Sequence, residues 1–201
     1  RLVRGGIRVP QALCITGEAY ETYVRTTGLL ERISLELSRK AFHDMRWEEL
    51  WDSSLRIRGM FLNTAMPPAL VKKLRDPIEE LFGDGPVAVR SSAPGEDSLS
   101  ASFAGLHESF LNVRGIYSIL DHIRLVWASL WSDAALLYRK ELGLDVHHST
   151  MAVIIQGLVA GRTSGIVFGR SATEKDRAVV EAIYGLKDRK STRLNSSHVS
   201  Q

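Results

Sequence analysis

Cysteine is nearly absent from this chain: Cys14 is the single one among 201 residues. One thiol cannot close an internal disulfide, so the fold must rest on its core, and such usage suits a reducing, cytoplasmic setting. Cys14 itself, beside Ile15, is expected to be a small core residue. Long apolar runs are also missing. None reaches the ~18 residues of a membrane-crossing helix, and the opening RLVRGGIRVP lacks the apolar core of a secretion signal. No strong charge of one sign is present either. The formal net charge is +3, and Lys187, Arg189, Lys190 and Arg193 set against Asp188 account for all of it, so residues 1–186 are balanced. Nucleic-acid binders show a basic face on the domain itself, and that is not the pattern here. His147 and His148 are adjacent and face opposite ways in an extended chain, with no acidic pair or cysteine spaced to join them, so no metal site is expected.

What is present is a 44% hydrophobic composition, ordinary for a globular protein of one or two domains. Thr16 is placed to cap a helix carrying Tyr20, Tyr23 and Val24, continued after Gly28 by Leu29, Leu30, Ile33 and Leu37. A second helical run holds Trp47, Leu50, Trp51, Leu55, Met60 and Phe61. A third begins at Pro67-Pro68 and passes through Leu74 to Phe82, with a bend expected at Pro77. These three form an α-rich insert ahead of Val87. From Ile116 to Tyr138 one apolar face persists for about six turns, which predicts one long helix. Trp47, Trp51, Trp127 and Trp131, in pairs spaced i,i+4, are expected in the core. Met151–Val159 and Ser164–Gly169 read as a hairpin turning at Ala160–Thr163, with Arg177–Ile183 as a further strand.

The segment from Val87 to Val113, VAVRSSAPGEDSLSASFAGLHESFLNV, carries the chemistry. Val87, Ala88 and Val89 read as a short buried strand that ends at Arg90. An arginine where a strand gives way to a loop offers a planar, permanently charged fork suited to phosphate oxygens. Gly105 permits backbone N–H groups to approach an anion closely, and Ser109 adds a hydroxyl. The alternative is structural: Arg90 in an ion pair with Glu96 or Asp97, and serines that only cap turns. Gln156 shares a strand face with Ile154 and Leu158 under period-two alternation. A lone amide there needs a partner, either a ligand or nearby backbone. His107 reads as a loop residue near this site.

The series Arg90-Ser91-Ser92-Ala93, Glu96-Asp97, Ala101-Ser102-Phe103-Ala104-Gly105, Glu108-Ser109 and Leu111-Asn112-Val113 resembles the ATP-binding domain of the phosphoenolpyruvate synthase (pyruvate, water dikinase) family, of which rifampin phosphotransferase is a close relative. The likeness extends through Gly5–Pro10, Cys14–Thr16, Trp127–Trp131 with Tyr138-Arg139, Val153–Gln156, Ser164–Phe168 and Val180–Leu186. It implies an α+β fold of the ATP-grasp type, incomplete, with a helical insert, over residues 1–186. It also implies ATP as ligand, with Arg90 on the phosphates as the catalytic cation, Gly105 as a backbone donor, Ser109 where relatives carry threonine, and Gln156 as a polar ligand. Magnesium, a phosphohistidine domain and an acceptor domain are further partners that the resemblance implies. Two departures stand out. Pro94 removes a backbone donor from the loop, and Ala134 follows Asp133 where relatives often place an arginine.

The family's first phosphate-binding lysine lies in a glycine-rich loop upstream of the residues matching Arg1–Pro10, and its magnesium ligands lie downstream of Tyr184–Leu186. The chain is therefore expected to be a fragment that is inactive alone. Residues 187–201, KDRKSTRLNSSHVSQ, abandon the apolar periodicity and read as a non-native or disordered tail.

Overall fold

Alternation of β-branched residues with polar or small ones sets up the sheet of this protein, and amphipathic runs supply the helices that cover it. The structure, a computed structural model, describes residues 3–93, 106–147, 149–168 and 178–185. The chain divides into two compact units, Arg1–Leu158 and Val159–Gln201. The mixture of helices and small antiparallel sheets agrees with the expected α+β class.

In the first unit, strands β1 (Ala12–Ile15), β2 (Val87–Ser92), β3 (Ser109–Val113) and β4 (Ala152–Gly157) form one sheet in the order β1-β4-β2-β3, every neighbour antiparallel. Helices α1 (Gly17–Thr26), α2 (Leu29–Leu37), α3 (Trp47–Leu62) and α4 (Pro68–Phe82) separate β1 from β2. Helices α5 (Ile116–Ser129) and α6 (Asp133–Glu141) separate β3 from β4. The long region between β1 and β2 is thus helical, as expected, but holds four helices rather than three. Gly28, in the left-handed region at φ 68°, breaks the first run into α1 and α2, a conformation costly for residues with a Cβ.

The register decides which side chains share a face. Ile15, Val87, Val89, Val153 and Ile155 point to one side and are buried. Helices α1 and α5 pack on the sheet. Val87 pairs with Val113 and Val89 with Phe110, so β3 carries one residue more than β2 across this stretch. Asn112 takes up the bulge at φ 57°, a conformation asparagine tolerates better than most residues. The bulge lets Phe110 and Val113, three apart, both align with the buried row, while Ser109 remains opposite Arg90.

Beneath the sheet lies an aromatic core. The Tyr23 ring stacks on Trp127 with centroids 5.2 Å apart, and Tyr20 meets Trp127 edge-on at 6.0 Å. Their polar tips are satisfied: the Trp127 Nε1–H donates to the Met151 carbonyl at 3.2 Å, Trp131 Nε1–H to the Tyr20 hydroxyl at 3.0 Å, and the Tyr23 hydroxyl to the Thr64 carbonyl at 2.8 Å. Such pairing lets large amphipathic rings be buried without orphaned donors.

Several expectations are corrected. The single helix predicted over 116–138 is two, α5 and α6: the Ser132 hydroxyl accepts from the Ala135 N–H at 3.2 Å and starts a new helix. In the sequence the apolar series runs on through Ala134, Leu137 and Tyr138, which hides the break, although α6 buries Ala135, Leu136 and Arg139 instead. Strand β4 does not form a hairpin with the next strand but lies between β1 and β2. Strand β2 runs on to Ser92, so Arg90 is inside a strand, hydrogen-bonded into the sheet on both sides, rather than at its end. Cys14 is exposed, because alternation that buries Ile15 turns its neighbour to the opposite face of an edge strand. Trp127 and Trp131 are buried as predicted, whereas Trp47 and Trp51 on α3 are 55% and 44% exposed.

The second unit is a two-stranded antiparallel ribbon of β5 (Thr163–Phe168) and β6 (Val179–Tyr184). All six residues of β6 are exposed.

Candidate functional site

The face of the four-stranded sheet opposite the buried row is where the sequence-predicted polar residues gather. Arg90 lies directly across from Ser109 on one side and from Ile154 on the other, and Gln156 lies across from Ala88 on β2 and Ala12 on β1. Directly paired residues point the same way, and so do residues two apart on a strand. Arg90, Ser109 and Gln156 are therefore brought to one face, Ser109 beside Arg90 on the neighbouring strand and Gln156 on the strand to the other side, two residues further along. All three are half-buried. Gly105, the fourth residue predicted for the site, lies outside the described residues, as do Glu96, Asp97 and Pro94.

The electrostatics of this face centre on Arg90. Its Nε is buried and has no hydrogen-bond acceptor among the described residues. A buried donor on a charged group is costly unless an acceptor reaches it. Ile154 and Ala88 surround the polar groups with apolar surface, which strengthens any charge-assisted bond made there. A cavity of about 400 Å³ lies elsewhere, between β1, α1 and α4, and Arg90, Ser109 and Gln156 do not line it. Among the described residues no group of three His, Cys, Asp or Glu side chains could hold a metal ion.

The residues just before Ser109 are fastened in a way the sequence reading missed. Glu108 N–H donates to the Ser129 hydroxyl at 3.1 Å, and that hydroxyl donates onward to the Val126 carbonyl at 2.7 Å. The ring of His107 stands 3.4 Å from the Ser129 carbonyl through Nδ1. A carbonyl can only accept, so Nδ1 carries the hydrogen in that contact. Glu108 also pairs with Arg58 of α3 at 3.3 Å. The only signal available was Ser129 itself, a hydroxyl among the apolar residues of Trp127–Trp131.

His107 lies in the loop ahead of β3, as expected, but it is buried. It is 7% exposed, and burial, reinforced by the nearby Arg139 charge, holds its pKa down at about 4. Arg139 is buried as well and donates Nη1–H to the Leu130 carbonyl at 2.7 Å. Burial lowers its pKa to about 10, which leaves it charged at neutral pH. These groups hold the end of α5 to α6 and to the approach of β3.

Helices and a small antiparallel sheet with a cationic, hydroxyl- and amide-bearing face define a mixed α/β domain. Residues 2–190 match the family described as pyruvate phosphate dikinase, AMP/ATP-binding domain. The chain belongs to that family. It is similar to a phosphoenolpyruvate synthase of Aeropyrum pernix, with 38% identity over 92% of this chain and 23% of the relative. It is also similar to rifampicin phosphotransferases of Bacillus subtilis, at 32% identity, and of Streptomyces sviceus, at 37%, each over 90% of this chain and 21% of the relative. The chain thus spans a little under a quarter of the length of these curated relatives. No helix among the described residues is long and apolar enough to cross a membrane.

Proposed function

We propose that this chain is part of the ATP-binding domain of a phosphotransferase of the phosphoenolpyruvate synthase type, built as an incomplete ATP-grasp fold. The observation that carries the reading is the buried Nε of Arg90, which meets no acceptor among the described residues and lies on the same sheet face as Ser109 and Gln156. An anion supplies what that donor lacks, and a triphosphate supplies several oxygens at once. In this reading Arg90 binds the phosphates, Ser109 and the backbone at Gly105 donate to them, and Gln156 makes a polar contact with the nucleotide. Phosphoryl transfer depends on positioning and on neutralising charge, so Arg90 acts by holding and stabilising the phosphates. Magnesium, when bound, would neutralise phosphate charge; the described residues offer no group of three His, Cys, Asp or Glu side chains to hold it. In the longer protein a phosphohistidine domain passes the phosphoryl group to pyruvate or a similar small acceptor. The 37% identity to a rifampicin phosphotransferase supports a second reading, in which the longer protein is an antibiotic kinase.

Calorimetric titration of the 201-residue chain with ATP tests the proposal. ATP is expected to bind weakly, and Arg90→Ala to weaken it by about 10- to 100-fold, as expected for one charge-assisted hydrogen bond of ~1.5–3 kcal/mol. A coupled ATP-consumption assay is expected to show no turnover by this chain alone. Absence of ATP binding by the wild type, or unchanged binding by the variant, would contradict the reading.

A further inference from the structure

We infer that Ser129, at the C-terminal end of α5, is a positioning residue for the nucleotide face; this rests on the reading of that face as an ATP site. Ser129 is 1% exposed. It meets two consecutive residues, His107 through its carbonyl and Glu108 through its hydroxyl, immediately ahead of the strand that begins at Ser109. Its hydroxyl is held in turn by the bond to the Val126 carbonyl, so it cannot rotate away without losing a partner in a buried setting.

The consequence is geometric. Ser109 is the first residue of β3 and the partner of Arg90 in register, so whatever fixes Glu108 fixes how the Ser109 hydroxyl is presented beside the guanidinium. The Glu108–Arg58 pair ties the same residue from α3, but its side chains are about one-third exposed and such pairs hold weakly. The buried hydroxyl of Ser129 is therefore the stiffer of the two fastenings. A site for phosphate depends on donors held within a few tenths of an ångström, and Ser129 supplies that precision from behind.

The test uses the complete chain with ATP as the probe. Ser129→Ala removes the acceptor, and Ser129→Cys keeps most of the volume while offering a poor one, so a second protein is in hand if the first folds badly. Ile33→Val, a small truncation in the buried face of α2, serves as the control for general loss of stability. Both Ser129 variants are expected to bind ATP about 5- to 10-fold more weakly well below their melting temperatures, with faster hydrogen exchange at the Glu108 amide. Ile33→Val is expected to lower the melting temperature with ATP affinity unchanged. Wild-type affinity in both Ser129 variants would overturn the inference alone. An equal loss of affinity in Ile33→Val would also overturn it, because the effect would then be general. No binding of ATP by the wild type would overturn the nucleotide reading and the inference with it.

Discussion

The two faces of the four-stranded sheet are built from the same strands, often from adjacent residues, and meet different physical demands. On one, Val87, Val89, Val153 and Ile155 are excluded from water by helices, and stability depends on their volume. On the other, Arg90, Ser109 and Gln156 stand among small or half-buried neighbours. The difference teaches that a position one residue along a strand can be dispensable for folding while its neighbour is essential. The comparison of Ile155 with Ile154 is the sharpest way to break that claim. Ile155→Ala is expected to destabilise the protein by about 2–5 kcal/mol, because a filled site becomes a cavity. Ile154→Ala, on the half-buried face, is expected to cost under about 1.5 kcal/mol. Chemical denaturation of both variants checks this, and equal losses would mean that the two faces are not distinct.

The next largest effect concerns a polar group taken into the helical side. His107 is buried in its neutral form, with a pKa of about 4 against an ordinary 6.5. Between these values the unfolded chain binds a proton that the folded chain does not, so stability rises with pH across the window and falls as pH drops from 6.5 towards 4. Below about 4 both states are protonated and this contribution stops changing. At ~1.4 kcal/mol per pH unit the loss amounts to at most about 3 kcal/mol. Denaturation midpoints from pH 7 to pH 4 are expected to fall more steeply for the wild type than for His107→Leu, which removes the titrating group. Parallel profiles would show that His107 is not what the burial makes it.

Much of this arrangement was readable from local pattern. The run at Val87–Val89 and the alternation across Ile154 and Gln156 located β2 and β4, and the spacing of Arg90 and Ser109 in one motif marked the polar face. Pairing was less legible, because β4 inserts between β1 and β2, partners more than sixty residues away in sequence, and no local signal encodes that choice. The break between α5 and α6 was masked by an apolar series that runs on through Ala134, Leu137 and Tyr138 in the sequence; only Ser132 announced it. Cys14 shows the opposite case: the alternation of Leu13, Cys14 and Ile15 already turned the thiol away from its buried neighbour, and the cue of residue type misled where periodicity would not have. The fastening of Glu108 by Ser129 joins residues twenty-one apart through tertiary packing, and the sequence held no more than a hint of it.

The smallest expected effect comes from the tryptophans, whose four-residue spacing occurs twice while their environments differ. Trp127, in the last turn of α5, and Trp131, in the turn before α6, both reach the aromatic core, where both indole N–H groups find acceptors. Trp47 and Trp51 stand four apart at the start of α3, yet Leu50, Ile57 and Phe61 take the buried positions of that helix and leave both rings about half exposed. Helix geometry fixes which residues share a stripe, but only the packing of α3 on its neighbours decides which stripe is covered. Each ring keeps about half of its surface covered, so Trp47→Ser and Trp51→Ser are each expected to cost about 1–2 kcal/mol, well short of the loss from a fully buried ring. Intrinsic fluorescence sharpens the test. Acrylamide is expected to quench the wild-type signal in two populations, and the accessible one should shrink in each variant while the protected one persists. A loss of several kcal/mol in either variant would place these rings in a core, and the contrast drawn from the two pairs would fail.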